Sequence, residues 1–178
     1  MNKNAQTPTH GNILKAGIDS ADFTIDHDYL IFYLTSLLRF NTDLGDTSAL
    51  NIYLDQNRIF IKGSVDSLWK KEYIQELVNP AVGINGIKSI ENKLTVEPDS
   101  RYSDEKILQE IRKAMAQNIH IKSNSIQINV HKQSVTLEGE VRGWIEFKEC
   151  CNSVFYTNGV IKIHNKLKLQ NLSVIPEI

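Results

Sequence analysis

The chain has 178 residues, 41% hydrophobic and 23% charged, a balance that excludes intrinsic disorder and suits one ordinary domain or two small ones. A net charge of −1 gives the whole molecule no bulk attraction for nucleic acid or anionic lipid. No apolar stretch approaches the roughly 18 residues that span a bilayer, so no transmembrane segment is expected.

Residues 1–25 read as a flexible N-terminal segment. The stretch MNKNAQTPTHGNILKAGIDS holds no continuous apolar run that could serve as the central region of a signal peptide. No early cysteine is present to carry a lipid. A cytoplasmic location is expected, or a periplasmic one if a leader has been removed.

A first helix is predicted from about Asp28 to Phe40, with Leu30, Ile31, Leu34, Leu37 and Leu38 as its core stripe. Phe32, Ser36 and Phe40 form a second row at i, i+4 and i+8, flanked by Tyr33. A helix that is apolar beyond one stripe is covered on more than one side. Phe32, Tyr33 and Phe40 are therefore a candidate interface, covered by the second half of the chain, residues 103–170, or by a dimer partner. Lipid insertion fits less well, because Arg39 is the only basic residue there.

Strands follow at Leu50, Ile52, Leu54 and at Ile59, Ile61, Val65, then a helix from about Leu68 to Val78 and a strand with Ile90, Leu94 and Val96. Between these last two lies Gly83-Ile84-Asn85-Gly86, a G-x-x-G string like the backbone-clamping loop of KH domains. Here it joins a helix to a strand in an acidic stretch, and no nucleic-acid partner is expected. Glu97-Pro98-Asp99-Ser100-Arg101 reads as a turn or short linker.

Ser103 is a plausible N-cap, with Asp104 and Glu105 in the first turn, where the helix dipole favours negative charge. Ile107, Leu108, Ile111, Ala114 and Met115 then recur at helical spacing, with Arg112 and Lys113 on the polar side. Ile126, Ile128, Val130 and then Val135, Leu137, Val141 alternate as two strands around a turn at Lys132-Gln133-Ser134. A helix spans Trp144 to about Phe155, stopped by Asn158-Gly159, and a last strand holds Ile161, Ile163, Leu167 and Leu169.

The order α-β-β-α-β is thus written twice. Gly63 recurs as Gly139, Asn85-Gly86 as Asn158-Gly159, and Asn92-Lys93-Leu94 as Asn165-Lys166-Leu167, in the same order and at nearly constant separation. The expected fold class is α+β: two tandem modules, 26–97 and 103–170, each a three-stranded mixed sheet with two helices packed on one face. Residues 98–102 are the linker and 171–178 a C-terminal tail.

V-T-L-E-G-E-V-R-G-W (135–144), a helix, then N-G-V-I-K-I-H-N-K-L (158–167) resembles the BON domain. That family shows a V-x-L-x-G-x-V strand, a helix and G-V-x-x-V-x-N-x-L. The first copy resembles it through Ile59-Phe60-Ile61-Lys62-Gly63-Ser64-Val65 and Asn85-Gly86-Ile87-Lys88-Ser89-Ile90-Glu91-Asn92-Lys93-Leu94. The resemblance implies a non-catalytic module, often in tandem, found in osmotically induced periplasmic proteins, outer-membrane lipoproteins and cytoplasmic multi-repeat proteins. Implied roles are phospholipid contact, envelope maintenance and ligand or ion binding. It implies structural roles for Gly139 and Asn165, with Asn165 on the core side beside Leu167.

Residues 1–100 carry 9 Lys+Arg against 13 Asp+Glu, net −4, and residues 101–178 carry 11 against 8, net +3. In the last strand Lys162, His164, Lys166 and Lys168 share one face by strict alternation. With Arg112 and Lys113 they are the candidate anionic-surface residues. In the other reading, Glu138 and Glu140 on the same sheet pair with the lysines and leave only a solvated face. The expected function is a non-enzymatic adaptor contacting an anionic surface such as phospholipid, in envelope or osmotic-stress physiology. The alternatives are a protein–protein scaffold through the Phe32 and Phe40 face, or a small-ligand or ion sensor.

Trp69 and Trp144 sit at similar places and are expected to pack across the sheet-to-helix corner. His120, His131 and His164 fall on separate elements without ligand spacing, and adjacent Cys150 and Cys151 read as small apolar helix residues. No metal, cofactor or catalytic residue is expected, because nothing supplies a convergent acid and base.

Overall fold

The computed structural model describes residues 26–122 and 125–170, so the segments 1–25 and 171–178 lie outside it. Helix α1 (His27–Arg39) starts at Asp26, whose side chain accepts the Asp28 N–H at 3.2 Å. Strands β1 (Asn51–Asp55) and β2 (Arg58–Val65) pair antiparallel. They are joined at Gln56 and Asn57, both at positive φ (47° and 62°), as a two-residue type I′ hairpin turn requires. Helix α2 (Leu68–Val78) then returns the chain to β3 (Ser89–Val96), parallel to β2.

The second module repeats the path. Ser103 caps α3 (Asp104–Gln117) by accepting the Lys106 N–H at 3.2 Å. Strands β4 (Gln127–His131) and β5 (Ser134–Val141) turn at Lys132-Gln133, again both at positive φ. Helix α4 (Trp144–Phe155) leads to β6 (Lys162–Leu169), parallel to β5. The sheet orders are β1-β2-β3 and β4-β5-β6, so the chain holds two tandem α-β-β-α-β modules with mixed three-stranded sheets.

Each module buries its own core. In the first, Leu30, Leu34 and Leu38 pack with Ile59, Ile61, Ile74, Val78 and Leu94; in the second, Ile107 and Ile111 pack with Val135, Leu137, Val141, Cys150 and Val154. The last strands differ. Leu94 is buried in β3, whereas in β6 Ile163 and Leu167 are only half-buried and Leu169 is 48% exposed. Asn165 lies on the helix side, as the family resemblance implied, but is exposed rather than packed inside. Its Oδ1 accepts the Leu167 N–H at 2.9 Å and its amide donates to Cys151 Sγ at 3.0 Å. Asn92 makes the matching pair of contacts, to Leu94 N–H and the Lys71 carbonyl. Both asparagines thus pin the last strand to the second helix.

The modules meet through the start of α2 and the turn before β6. The Leu68 N–H donates to the Val160 carbonyl at 2.9 Å, the Gly159 N–H to Ser67 Oγ at 2.8 Å, and Trp69 Nε1 to Asn158 Oδ1 at 2.9 Å. Leu68 also packs on the core of the second module. Arg101 in the connecting segment bonds Asp66 at 3.1 Å, and Gln133 holds the same segment through Asp99 and Tyr102.

One buried position carries opposite charges in the two copies. Lys70 donates to the Leu44 carbonyl at 2.9 Å and to Asp66 at 3.0 Å. Its counterpart in the second copy, Glu146, accepts the Lys122 and Arg142 N–H groups at 2.6 and 2.7 Å. Burial, reinforced by the Glu146 charge, pushes the neighbouring Cys150 thiol up to about 12, and burial also raises Cys151.

Two outcomes follow for the fold. Gly63 and Gly139 adopt φ of 126° and 132°, and a Cβ would fall on the Ala49 or Ser125 carbonyl oxygen. Gly139→Ala should therefore lower stability by about 2–4 kcal/mol in urea denaturation, combining backbone strain with overlap. Because a raised pKa keeps Cys150 a neutral thiol, iodoacetamide at pH 8 should modify it far more slowly in the native protein than in denaturant, as read by mass spectrometry.

Candidate anion-binding face

A sheet covered by helices on one side leaves the other to solvent. On the open side of the second module, alternation sets Ser134, Thr136, Glu138 and Glu140 of β5 beside Lys162, His164, Lys166 and Lys168 of β6, in that register. All four β6 residues are exposed, and β6 is an edge strand. Lys166 pairs with Glu138 at 2.5 Å, an exposed contact of small net value. Glu140 stands across from Lys168 without an ion pair among the described residues. Lys162 and His164 lie across from hydroxyl residues. The stripe is thus partly compensated: one lysine is matched, and the two ends, roughly 20 Å apart, are not.

The other candidates lie elsewhere. Arg112 and Lys113 are exposed on α3, which packs over β4, while α4 packs over β6. They face away from the β6 stripe and do not join it. Phe32, Tyr33 and Phe40 are 69%, 54% and 81% exposed, with Tyr29 beside them at 60%. The second module does not cover this row, because docking uses α2 and the turn before β6. Trp144 departs from the corner-packing expectation: it is 66% exposed and stacks on Phe147 at 5.3 Å. Trp69 is half-buried and bonds the other module instead. In the alignment that sets Gly63 on Gly139, Trp144 corresponds to Leu68, one position before the counterpart of Trp69.

The open face of the first module carries a cluster that sequence reasoning missed. Tyr53 and Phe60 stack at 5.2 Å; Lys62 lies over Tyr53, and Lys93 and Arg58 lie over Phe60, at 5.0 to 5.3 Å. Cations placed over ring faces are attracted by the ring quadrupole. Lys62 and Lys93 are direct cross-strand neighbours, an arrangement that costs energy without an anion nearby. The signal was in Ile59-Phe60-Ile61, whose central residue strict alternation turns outward.

A groove of about 870 Å³ runs between α3 and α4, lined by Tyr102, Lys106, Glu110, Glu149 and Tyr156 among others. Its one lysine and two glutamates set no single charge preference. Among the described residues no three His, Cys, Asp or Glu side chains gather as metal ligands would, and no helix is long and apolar enough to cross a membrane.

Among the solved structures similar to the chain are two of CdsD, a structural protein of the type III secretion system of Chlamydia trachomatis. One, of its C-terminal domain, is 11% identical with a TM-score of 0.32, covering 82% of this chain and 68% of that one. The other is 13% identical with a TM-score of 0.33, covering 85% and 68%. Scores this low carry no weight for function. A comparison with curated proteins gives no match. The family model of the BON domain matches residues 103–171, the span in which the G-x-V strand, the second helix and the asparagine-pinned last strand have just been described. The match to the BON-domain model thus covers the second module, and the first module repeats the same architecture.

Proposed function

We propose that the chain is a non-enzymatic binding protein whose BON domain contacts an anionic phospholipid surface through the open side of β6. The observation that carries this reading is the set Lys162, His164 and Lys168, exposed on an edge strand and outside any ion pair among the described residues, with only Lys168 set across from a carboxylate, Glu140. Two features support it: the net +3 of residues 101–178, and the link between BON domains and envelope-associated proteins. Each lysine at an anionic membrane surface adds about 1 kcal/mol, so a few such residues give reversible, salt-sensitive attachment. Lys166 contributes less, since Glu138 already meets its charge. In the first module Lys62 and Lys93 add two cations to the open face, while Arg58 is met by Glu91 at 3.8 Å.

A second contact surface is favoured by the exposure of Phe32, Tyr33 and Phe40. Apolar and nearly uncharged, it suits a protein partner rather than an anionic membrane. The groove between the helices leaves small-ligand sensing as the third reading.

Co-sedimentation with vesicles tests the main reading. Wild-type protein should pellet with vesicles containing phosphatidylglycerol and not with pure phosphatidylcholine. Lys162→Glu with Lys168→Glu should weaken binding about tenfold or more, and Lys166→Gln much less. Equal recovery on both lipids, or indifference to the double variant, rejects it. For the aromatic row, Phe32→Ser with Phe40→Ser should shift the melting temperature by no more than about 2–4 °C, as surface changes do. A fall of core-mutation size would make these rings structural and remove them as a contact surface.

A further inference from the structure

Helices α1 and α3 are equivalent, and their buried stripes match at the same spacing: Leu30, Leu34 and Leu38 in one, Ile107, Ile111 and Met115 in the other. That register sets Tyr29, Phe32, Tyr33, Ser36 and Phe40 of the first module on Lys106, Gln109, Glu110, Lys113 and Gln117 of the second. All five residues of α3 are exposed. The same helix face is thus solvated by polar and charged side chains in one module and aromatic in the other. The module does not need rings there to fold, so a contiguous exposed apolar patch at this place marks a contact. At 3.6 residues per turn the four rings and Ser36 fall within an arc of about 100°, nearly opposite the leucine stripe. Docking of the second module, through α2 and the turn before β6, leaves this arc open.

We infer that a second copy of this chain covers the arc, the two α1 helices packing antiparallel across Ser36. The inference rests on the reading of Phe32, Tyr33 and Phe40 as a contact surface for protein, and it names the partner. Phe32, Ser36 and Phe40 form one i±4 ridge of the kind that interdigitates between packed helices. The ridge reads the same from either end: a ring, a small residue, a ring. A copy turned end for end therefore meets it with Ser36 over Ser36, Phe40 of each beside Tyr33 of the other, and Arg39 beside Phe32. The charges of the helix favour the same orientation. Its one acid, Asp28, lies in the first turn and its one base, Arg39, in the last. Antiparallel pairing sets unlike charges together at both ends and opposes the helix dipoles, whereas parallel pairing sets like with like. The four rings are between 54% and 81% exposed and present roughly 500 Å² per copy. A symmetric pair would bury on the order of 1,000 Å², the lower limit of a specific contact. The dimer is therefore weak and reversible, and adds little to the melting temperature of dilute protein. It is also closed, because each copy uses the same patch.

Sedimentation velocity of the whole chain without lipid, across a wide concentration range, tests this independently of any membrane role. The mass of wild type should rise toward twice that of the monomer and stop there, and should do so in high salt as well, since burial of rings is not screened. Phe32→Ser with Phe40→Ser should weaken association about tenfold or more with unchanged circular dichroism, and Trp144→Asp should leave it as in wild type. Thiol crosslinking reads the orientation. In a Cys151→Ser background, Ser36→Cys should give a covalent dimer under a mild disulfide oxidant, its two thiols meeting at the crossing point. Asp28→Cys should not, because the two symmetry-related positions lie roughly 24 Å apart along antiparallel helices. Association that ignores Phe32 and Phe40, or that grows beyond a dimer, overturns the inference. So does crosslinking of Asp28→Cys in place of Ser36→Cys. A wild type monomeric at every concentration also overturns it, while leaving the face open to a different protein; that broader reading fails instead on the melting temperature of the Phe32/Phe40 variant.

Discussion

A three-stranded sheet with two helices can bury only one of its faces, and most of this molecule's organisation follows from that constraint. The covered face takes the alternating aliphatic residues, Ile59 and Ile61 in one module, Val135 and Leu137 in the other. The uncovered face must be made acceptable to water by whatever alternates with them. In β6 that is Lys162, His164, Lys166 and Lys168; in β1 and β2 it is an aromatic pair roofed by lysine and arginine stems. A module of about 70 residues gains little from so thin a core, which gives the junction at Ser67 and Gly159 its importance. A fully buried serine there accepts a backbone N–H from the neighbouring module.

Much of this architecture was legible in the sequence because it rests on local periodicity. The switch from a period of two to one of 3.6 set both second helices to their observed limits, Leu68–Val78 and Trp144–Phe155. Asn165 could be placed on the helix side of its strand through the family resemblance, though not its exposure. An edge strand with one covering helix cannot enclose every inward residue.

The docking of the modules was not legible, for a physical reason. Its central bond runs from the Leu68 N–H to the Val160 carbonyl, and backbone groups are present at nearly every position, so they leave no compositional mark. The exposure of Trp144 escaped for a related reason. Two tryptophans at similar places suggested one role, but they occupy successive positions of the repeat, which the junction treats differently. The cation-roofed pair Tyr53 and Phe60 was hidden in a run of three apolar residues, where an outward ring looks like part of the core pattern.

The opposite charges at Lys70 and Glu146 bear on how such a duplicated chain persists. Each sits in an enclosure built for its own sign: the Leu44 carbonyl and Asp66 for the ammonium, two backbone N–H groups for the carboxylate. A hybrid made by unequal crossover between the two halves, carrying one half's helix in the other half's enclosure, would set an unmatched ion in its interior. Such recombinants would fold poorly and be lost. The duplication is thereby protected from its own homogenisation, and each half is left free to acquire a surface of its own.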